Sequence, residues 1–109
     1  MRFEFATATR IVFGTGTASE LGKLATEMGS HALVVTGSKP DRVGDVIQNL
    51  THEGLKHTIF TITDEPTIDT VNQGKETALS AGCNMVISIG GGSVLDGGKA
   101  IAALIPNDG

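Results

Sequence analysis

From residue 31 onward the chain repeats one pattern three times: a short apolar run of strand type, then a stretch whose apolar residues recur at helical spacing. The runs are "HALVVT" at 31–36, "HTIFTIT" at 57–63 and "NMVISI" at 84–89. Val43, Val46, Ile47 and Leu50 share a helical face after the first run, and Ile68, Val71, Ala78 and Leu79 share one after the second. A helix from about Ser93 to Leu104 follows the third. Strands alternating with helices of this length imply crossover connections, hence a parallel α/β sheet with helices on both faces. The punctuation agrees: Pro40 suits a first helical turn, Gly54 and Gly82 suit helix ends, and Thr67 after "DEP" suits an N-cap.

Two further β-type runs, "FEF" and "RIVFG", precede this pattern and are separated by "ATAT". They predict an N-terminal β-hairpin or strand, although the connection lacks Asn-Gly or Asp-Gly. Thr17 with Glu20 forms a capping box, and Ala18, Leu21, Leu24, Ala25 and Met28 then fall on one helical face that ends at Gly29.

A chain of 109 residues holds one small domain with a real core, and 39% hydrophobic with 18% charged residues reads as globular. The net charge of −4 argues against a nucleic-acid surface, as does the absence of Trp and Tyr. No apolar run approaches the length of a membrane span, and the start lacks the apolar stretch of a signal peptide. Cys83 is the single cysteine, so no internal disulfide is possible, and a buried structural role is expected for it. These features predict a cytoplasmic protein without nucleic-acid or membrane partners. His31, His52 and His57 are not spaced as metal ligands on one face and read as surface histidines.

Parallel sheets place ligands at the carboxyl ends of their strands. Three loops qualify: "TGSKPD", "TDEPT" and "GGGSVLD". The last is the most informative. Glycine inside regular structure costs roughly 0.5–1 kcal/mol relative to alanine, so Gly90, Gly91 and Gly92 together need a reason. They allow a sharp turn and let an anion approach the backbone. Ser93 is expected to cap the helix, Asp96 to complete a capping box with it, and the helix start to offer free N–H groups to a phosphate. Gly97 and Gly98 in the same helix suggest tight packing against a ligand or a neighbouring backbone. The alternative is a tight turn with no ligand. "GTGTASELG" at 14–22 mimics a dinucleotide fingerprint but has Ser19 where the third glycine belongs, and it reads as a connection.

With these residues in view, the chain resembles the amino-terminal domain of the iron-containing (group III) alcohol dehydrogenases. "SIGGGSVLDGGKAIA" matches the family's Gly-Gly-Gly-Ser-x-x-Asp-x-x-Lys after an apolar strand, "RIVFGTGTASELG" resembles its opening, and "DEPTID" resembles its Asn-Pro-Thr-like loop. The family often has Asn where Glu65 stands. The resemblance implies a Rossmann-like fold and an NAD(P)-dependent oxidoreductase acting on small alcohols, aldehydes or ketones, expected to be a homo-oligomer, a dimer. It also implies that Gly91, Gly92 and Ser93 hold the pyrophosphate, that Asp96 lies toward the nicotinamide and that Lys99 supports the loop. The family's iron or zinc is held by a helical second domain to which no stretch here corresponds. Residues 1–109 then form a single NAD(P)-binding domain, a fragment with no catalytic residue and no metal ligand of its own.

An acidic residue at the end of the second strand of such sites accepts from the adenosine ribose 2′-OH and repels a 2′-phosphate. Here the positions are Gly37, Ser38 and Lys39, with Arg42 a turn later and Asp41 partly offsetting the charge, so NADP is favoured over NAD. Two other readings stand beside this one. The first is a stand-alone nucleotide- or phosphate-binding module without catalysis. The second is another member of the same superfamily, of the glycerol dehydrogenase, maleylacetate reductase or dehydroquinate synthase kind.

Overall fold

A computed structural model describes residues 2–5, 10–13, 25–27, 29–38 and 43–105, the first two stretches by their backbone alone. Its elements are β1 (Arg2–Phe5), β2 (Arg10–Phe13), β3 (His31–Thr36), α1 (Val43–His52), β4 (Lys56–Thr61), α2 (Ile68–Ala81), β5 (Met85–Ile89) and α3 (Gly92–Leu104). The Thr17 capping box, the Gly14–Gly22 connection, Pro40, Asp41 and Arg42 lie outside the described residues. Residues 25–27 are helical, and Gly29 N donates to Ala25 O at 3.1 Å.

The five strands form one sheet in the order β1-β2-β5-β3-β4. β1 and β2 pair antiparallel as a hairpin, and β2, β5, β3 and β4 then run parallel. Side chains alternate between the two faces of a strand, and the β3–β5 register makes the alternation coincide across the sheet. Ala32 opposes Met85 and Val34 opposes Ile87; Leu33 opposes Val86 and Val35 opposes Ser88.

The first set packs with Ala25, Val46, Leu50 and Leu55, placing α1 and the 25–27 helix on one face. The second packs with Ala78, Val94, Ile101 and Ala102, placing α2 and α3 on the other. Leu33, Leu50, Met85, Ile87 and Ile101 are fully buried, each side chain stabilising the fold by about 1.5–3 kcal/mol. β4 is an edge strand, and its Ile59 is 48% exposed.

The helix boundaries follow local chemistry. Thr67 caps α2, its hydroxyl accepting from Thr70 N, and Gly82 ends the helix in the left-handed conformation at φ 77°. The face of α2 differs from the periodicity reading. Gly74 and Ala78 are the buried positions, with Val71 and Ala81 partly buried beside them. Ile68 and Leu79 are exposed: Leu79 lies about 100° around the helix from Ala78, and Ile68 sits in the first turn beside the exposed cap. Gly74 is where α2 meets α3, because a Cβ there would run into the Ile101 side chain.

Candidate functional site

The chain leaves β3, returns as β4 on one side of it, and then crosses to β5 on the other. The connection through α1 runs over one face and the connection through α2 over the opposite face. Strand order therefore reverses at β3. The loop after β3 and the loop after β5 lead to opposite faces at the carboxyl ends, the topology that forms a ligand crevice in open α/β sheets. In open α/β sheets this switch point is where ligands bind.

The loop after β5 is the glycine turn. Gly90 has φ 153°, and a Cβ there would lie 2.9 Å from Val94 Cγ2, so both backbone and packing require glycine. A Cβ on Gly37, in the loop after β3, would lie 3.3 Å from the same Val94 methyl. The buried Val94 thus braces both loops against one another, a role that no local signal in the sequence marks. Gly91 and Gly92 are different. Both are exposed, and a Cβ on either would meet nothing within 4 Å. Among the described residues, packing gives no reason for glycine at these two positions.

The start of α3 departs from expectation. The N-cap is Gly91, with φ −81° and ψ −168°, and it makes no side-chain cap bond. Ser93 therefore lies inside the first turn, and the expected Ser93–Asp96 capping box does not form. The extended conformation at Gly91 starts the helix two residues earlier than a Ser93 cap requires. The first backbone bond of the helix runs from Leu95 N to Gly91 O at 3.0 Å, so the N–H groups ahead of it face out of the helix start. Ser93 Oγ instead donates to Glu65 Oε1 at 3.2 Å, joining the loop after β4 to the glycine turn. Asp96 is exposed on α3, as is Lys99.

Gly97 and Gly98 lie in the second turn of α3 and serve the sheet. A Cβ at Gly97 would run into Ile62 Cδ1, and one at Gly98 into the Ser88 hydroxyl. They pack tightly, as expected, against side chains of this chain rather than against a ligand or a backbone. Ser88 Oγ is buried beneath Gly98 and has no hydrogen-bond partner among the described residues. Ser38 is exposed just past Gly37, where Thr36 Oγ1 donates to Gly37 O at 3.3 Å. Lys39 lies outside the described residues. The structure thus gathers Gly37, Glu65 and Gly90–Val94 at one end of the sheet, with Asp96 a turn further along α3.

At the opposite end, His31 Nε2 is bonded to Thr58 Oγ1 at 2.8 Å. Burial, then the charge of Lys56, then His57, holds the His31 ring below the usual histidine value of 6.5. Burial raises the Cys83 thiol, with a bond to Thr58 opposing, as befits a core side chain. Among the described residues no group of three or more His, Cys, Asp or Glu side chains is placed to hold a metal ion. Among them, too, no helix is long and apolar enough to cross a membrane.

A parallel sheet covered by helices on both faces, with its strand order reversing at β3, places the chain in the Rossmann-like class of α/β domains. Within that class the chain belongs to the iron-containing alcohol dehydrogenase family, whose model matches residues 8–109. It is 32% identical to NADH-dependent butanol dehydrogenase B of Clostridium acetobutylicum, over 98% of this chain and 29% of that enzyme. It superposes on an archaeal, halo-thermophilic alcohol dehydrogenase from a Red Sea brine pool with TM-score 0.73 at 35% identity, covering 93% of this chain and 27% of that one. Sulfoacetaldehyde reductase from Bifidobacterium kashiwanohense, solved in complex with NAD+, gives TM-score 0.66 at 26% identity over 98% of this chain and 30% of that one. The chain spans about 29% of the length of the butanol dehydrogenase it matches.

Proposed function

We propose that residues 1–109 form the nucleotide-binding half of an NAD(P)-dependent, metal-dependent alcohol dehydrogenase that interconverts small alcohols with aldehydes or ketones. The observation that carries this reading is the open space at Gly91 and Gly92, where no packing among the described residues asks for glycine. The N–H groups at the start of α3 would receive the pyrophosphate, with Ser93 beside them and the dinucleotide lying across the crevice toward Gly37 and Ser38. When bound, the nicotinamide supplies or accepts the hydride. This chain's part is to hold and orient the nucleotide, and the metal and substrate belong to the remainder of the enzyme. Cytoplasmic location and a homodimer belong to the same proposal, supported by the single cysteine and by the exposed Ile59 and Ile68.

Two observations pull the nucleotide preference in different directions. The absence of a carboxylate at Gly37, Ser38 and Lys39 favours NADP. The butanol dehydrogenase is named for NADH, and the sulfoacetaldehyde reductase structure holds NAD+, which favours NAD. Calorimetric titration with NADPH and then NADH tests both levels. Saturable binding of either supports the site, and the tighter of the two fixes the cofactor. Gly37→Asp is expected to weaken NADPH several-fold more than NADH by setting a carboxylate against the 2′-phosphate. Equal losses would remove the argument from residues 37–39.

A further inference from the structure

The side chain bonded to Ser93 at the mouth of the glycine turn is an acid. Glu65 Oε1 accepts the Ser93 hydroxyl at 3.2 Å, and Glu65 itself is exposed. Its loop is anchored on both sides. Ile62 is buried, with its N–H donating to Thr36 O at 2.8 Å, and Pro66 packs 3.5 Å from where a Cβ on Gly97 would lie. The backbone at 65 is therefore held beside the start of α3, while the side chain beyond it is exposed to solvent.

We propose that Glu65 sets the affinity of the site by competing with the incoming pyrophosphate. The inference rests on the reading of the glycine turn as a pyrophosphate site. In the free protein the carboxylate engages Ser93 and lies at the positive end of the α3 dipole, the same two features offered to the ligand. A dinucleotide must break the Ser93–Glu65 bond and bring two phosphate charges up to a carboxylate of the same sign. Turning Glu65 away relieves the repulsion but forfeits its bond and its interaction with the helix start. The penalty falls on the pyrophosphate, which NADH and NADPH share, so it lowers the affinity for both without choosing between them.

The test is titration of the parent chain, Glu65→Gln and Glu65→Ala with NADH and NADPH, with adenosine as a phosphate-free control. Glu65→Gln keeps the shape and removes the charge. It is expected to tighten both dinucleotides by about five- to ten-fold, roughly 1–1.4 kcal/mol. Glu65→Ala should gain at least as much, and adenosine should be indifferent. Raising the salt concentration should narrow the gap between parent and variants. Equal or weaker dinucleotide binding by Glu65→Gln, with the parent still binding, overturns the proposal and leaves the pyrophosphate site standing. Binding by the variants alone supports it. Failure of all three chains to bind, each folded by circular dichroism, overturns the pyrophosphate reading and this proposal with it.

Discussion

At the amino ends of β3, β4 and β5 side chains tie the backbone together; at the carboxyl ends glycines leave it bare. Asn84, just ahead of β5, accepts from Ser30 N at 3.1 Å and His31 N at 3.2 Å and donates to Ser30 Oγ at 3.0 Å. Its own N–H donates to His31 O at 2.9 Å, and the His31 ring holds Thr58 of β4. At the other end of the same strands stand Gly37, Gly90, Gly91 and Gly92, a helix without a side-chain cap, and an exposed contact between Ser93 and Glu65. The amino end uses hydrogen bonds within the chain to fix strand register. The carboxyl end leaves the first backbone donors of α3 without a side-chain cap.

Substitutions at the two ends should therefore separate stability from binding. The largest loss of stability is expected where α3 lies on the sheet. Gly98→Val drives a branched side chain into Ser88 and should cost about 3 kcal/mol in chemical denaturation. Ser88→Gly in the same chain should return part of that cost, and no rescue would mean that the strain lies elsewhere.

Gly92→Val is the inverse case. Its Cβ meets open space, so the melting temperature should stay within a few degrees of the parent, while dinucleotide affinity should fall at least about a hundred-fold, or 2.7 kcal/mol. A folded variant that binds like the parent would end the phosphate-loop reading. Asn84→Ala should cost about 1–2 kcal/mol in stability by releasing the two N–H groups at the start of β3, with nucleotide affinity unchanged. A matching loss of affinity would mean that the two ends are coupled.

The smallest effect concerns pH. Because the His31 pKa is lowered on folding, the unfolded chain binds more protons as the pH falls below 6.5, and the histidine's contribution is lost as the pH drops through the folded value. His31→Gln should flatten that part of the stability profile, measured as melting temperature between neutral and mildly acidic pH. An unchanged slope would assign the acid sensitivity to other groups.

How much of this was legible in sequence depends on the range of the signal. The strands, the Thr67 cap and the Gly82 stop are written in neighbouring residues, and they fell where expected. The position of the glycine turn between β5 and α3 was equally plain. What was not legible is the partner of each residue across the fold. Nothing beside Asn84 marks it as the clamp on Ser30, Val94 as the brace for Gly37, or Gly74 as the seat of Ile101. Ser93 was misread as a cap for the same reason. A serine before an apolar helix is a good cap by local rules, but Gly91 had already turned the chain, and the hydroxyl was free to find Glu65. Ile68 satisfied the helical period without being covered, because period alone does not reveal which turns the sheet reaches.

The register of the sheet also constrains the order of assembly. β2 has no parallel partner except β5, so Arg10 waits for Met85 and Phe13 for Ser88. The hairpin precedes β3, β4 and β5 in the chain, and a lone two-stranded hairpin is marginal in water. Its docking therefore comes after β3, β4 and the strand that ends in the glycines. Pairings this distant in sequence slow folding. β5 thus joins the hairpin to β3 and β4, and the strand that closes the sheet is the one that carries the glycine turn at its end.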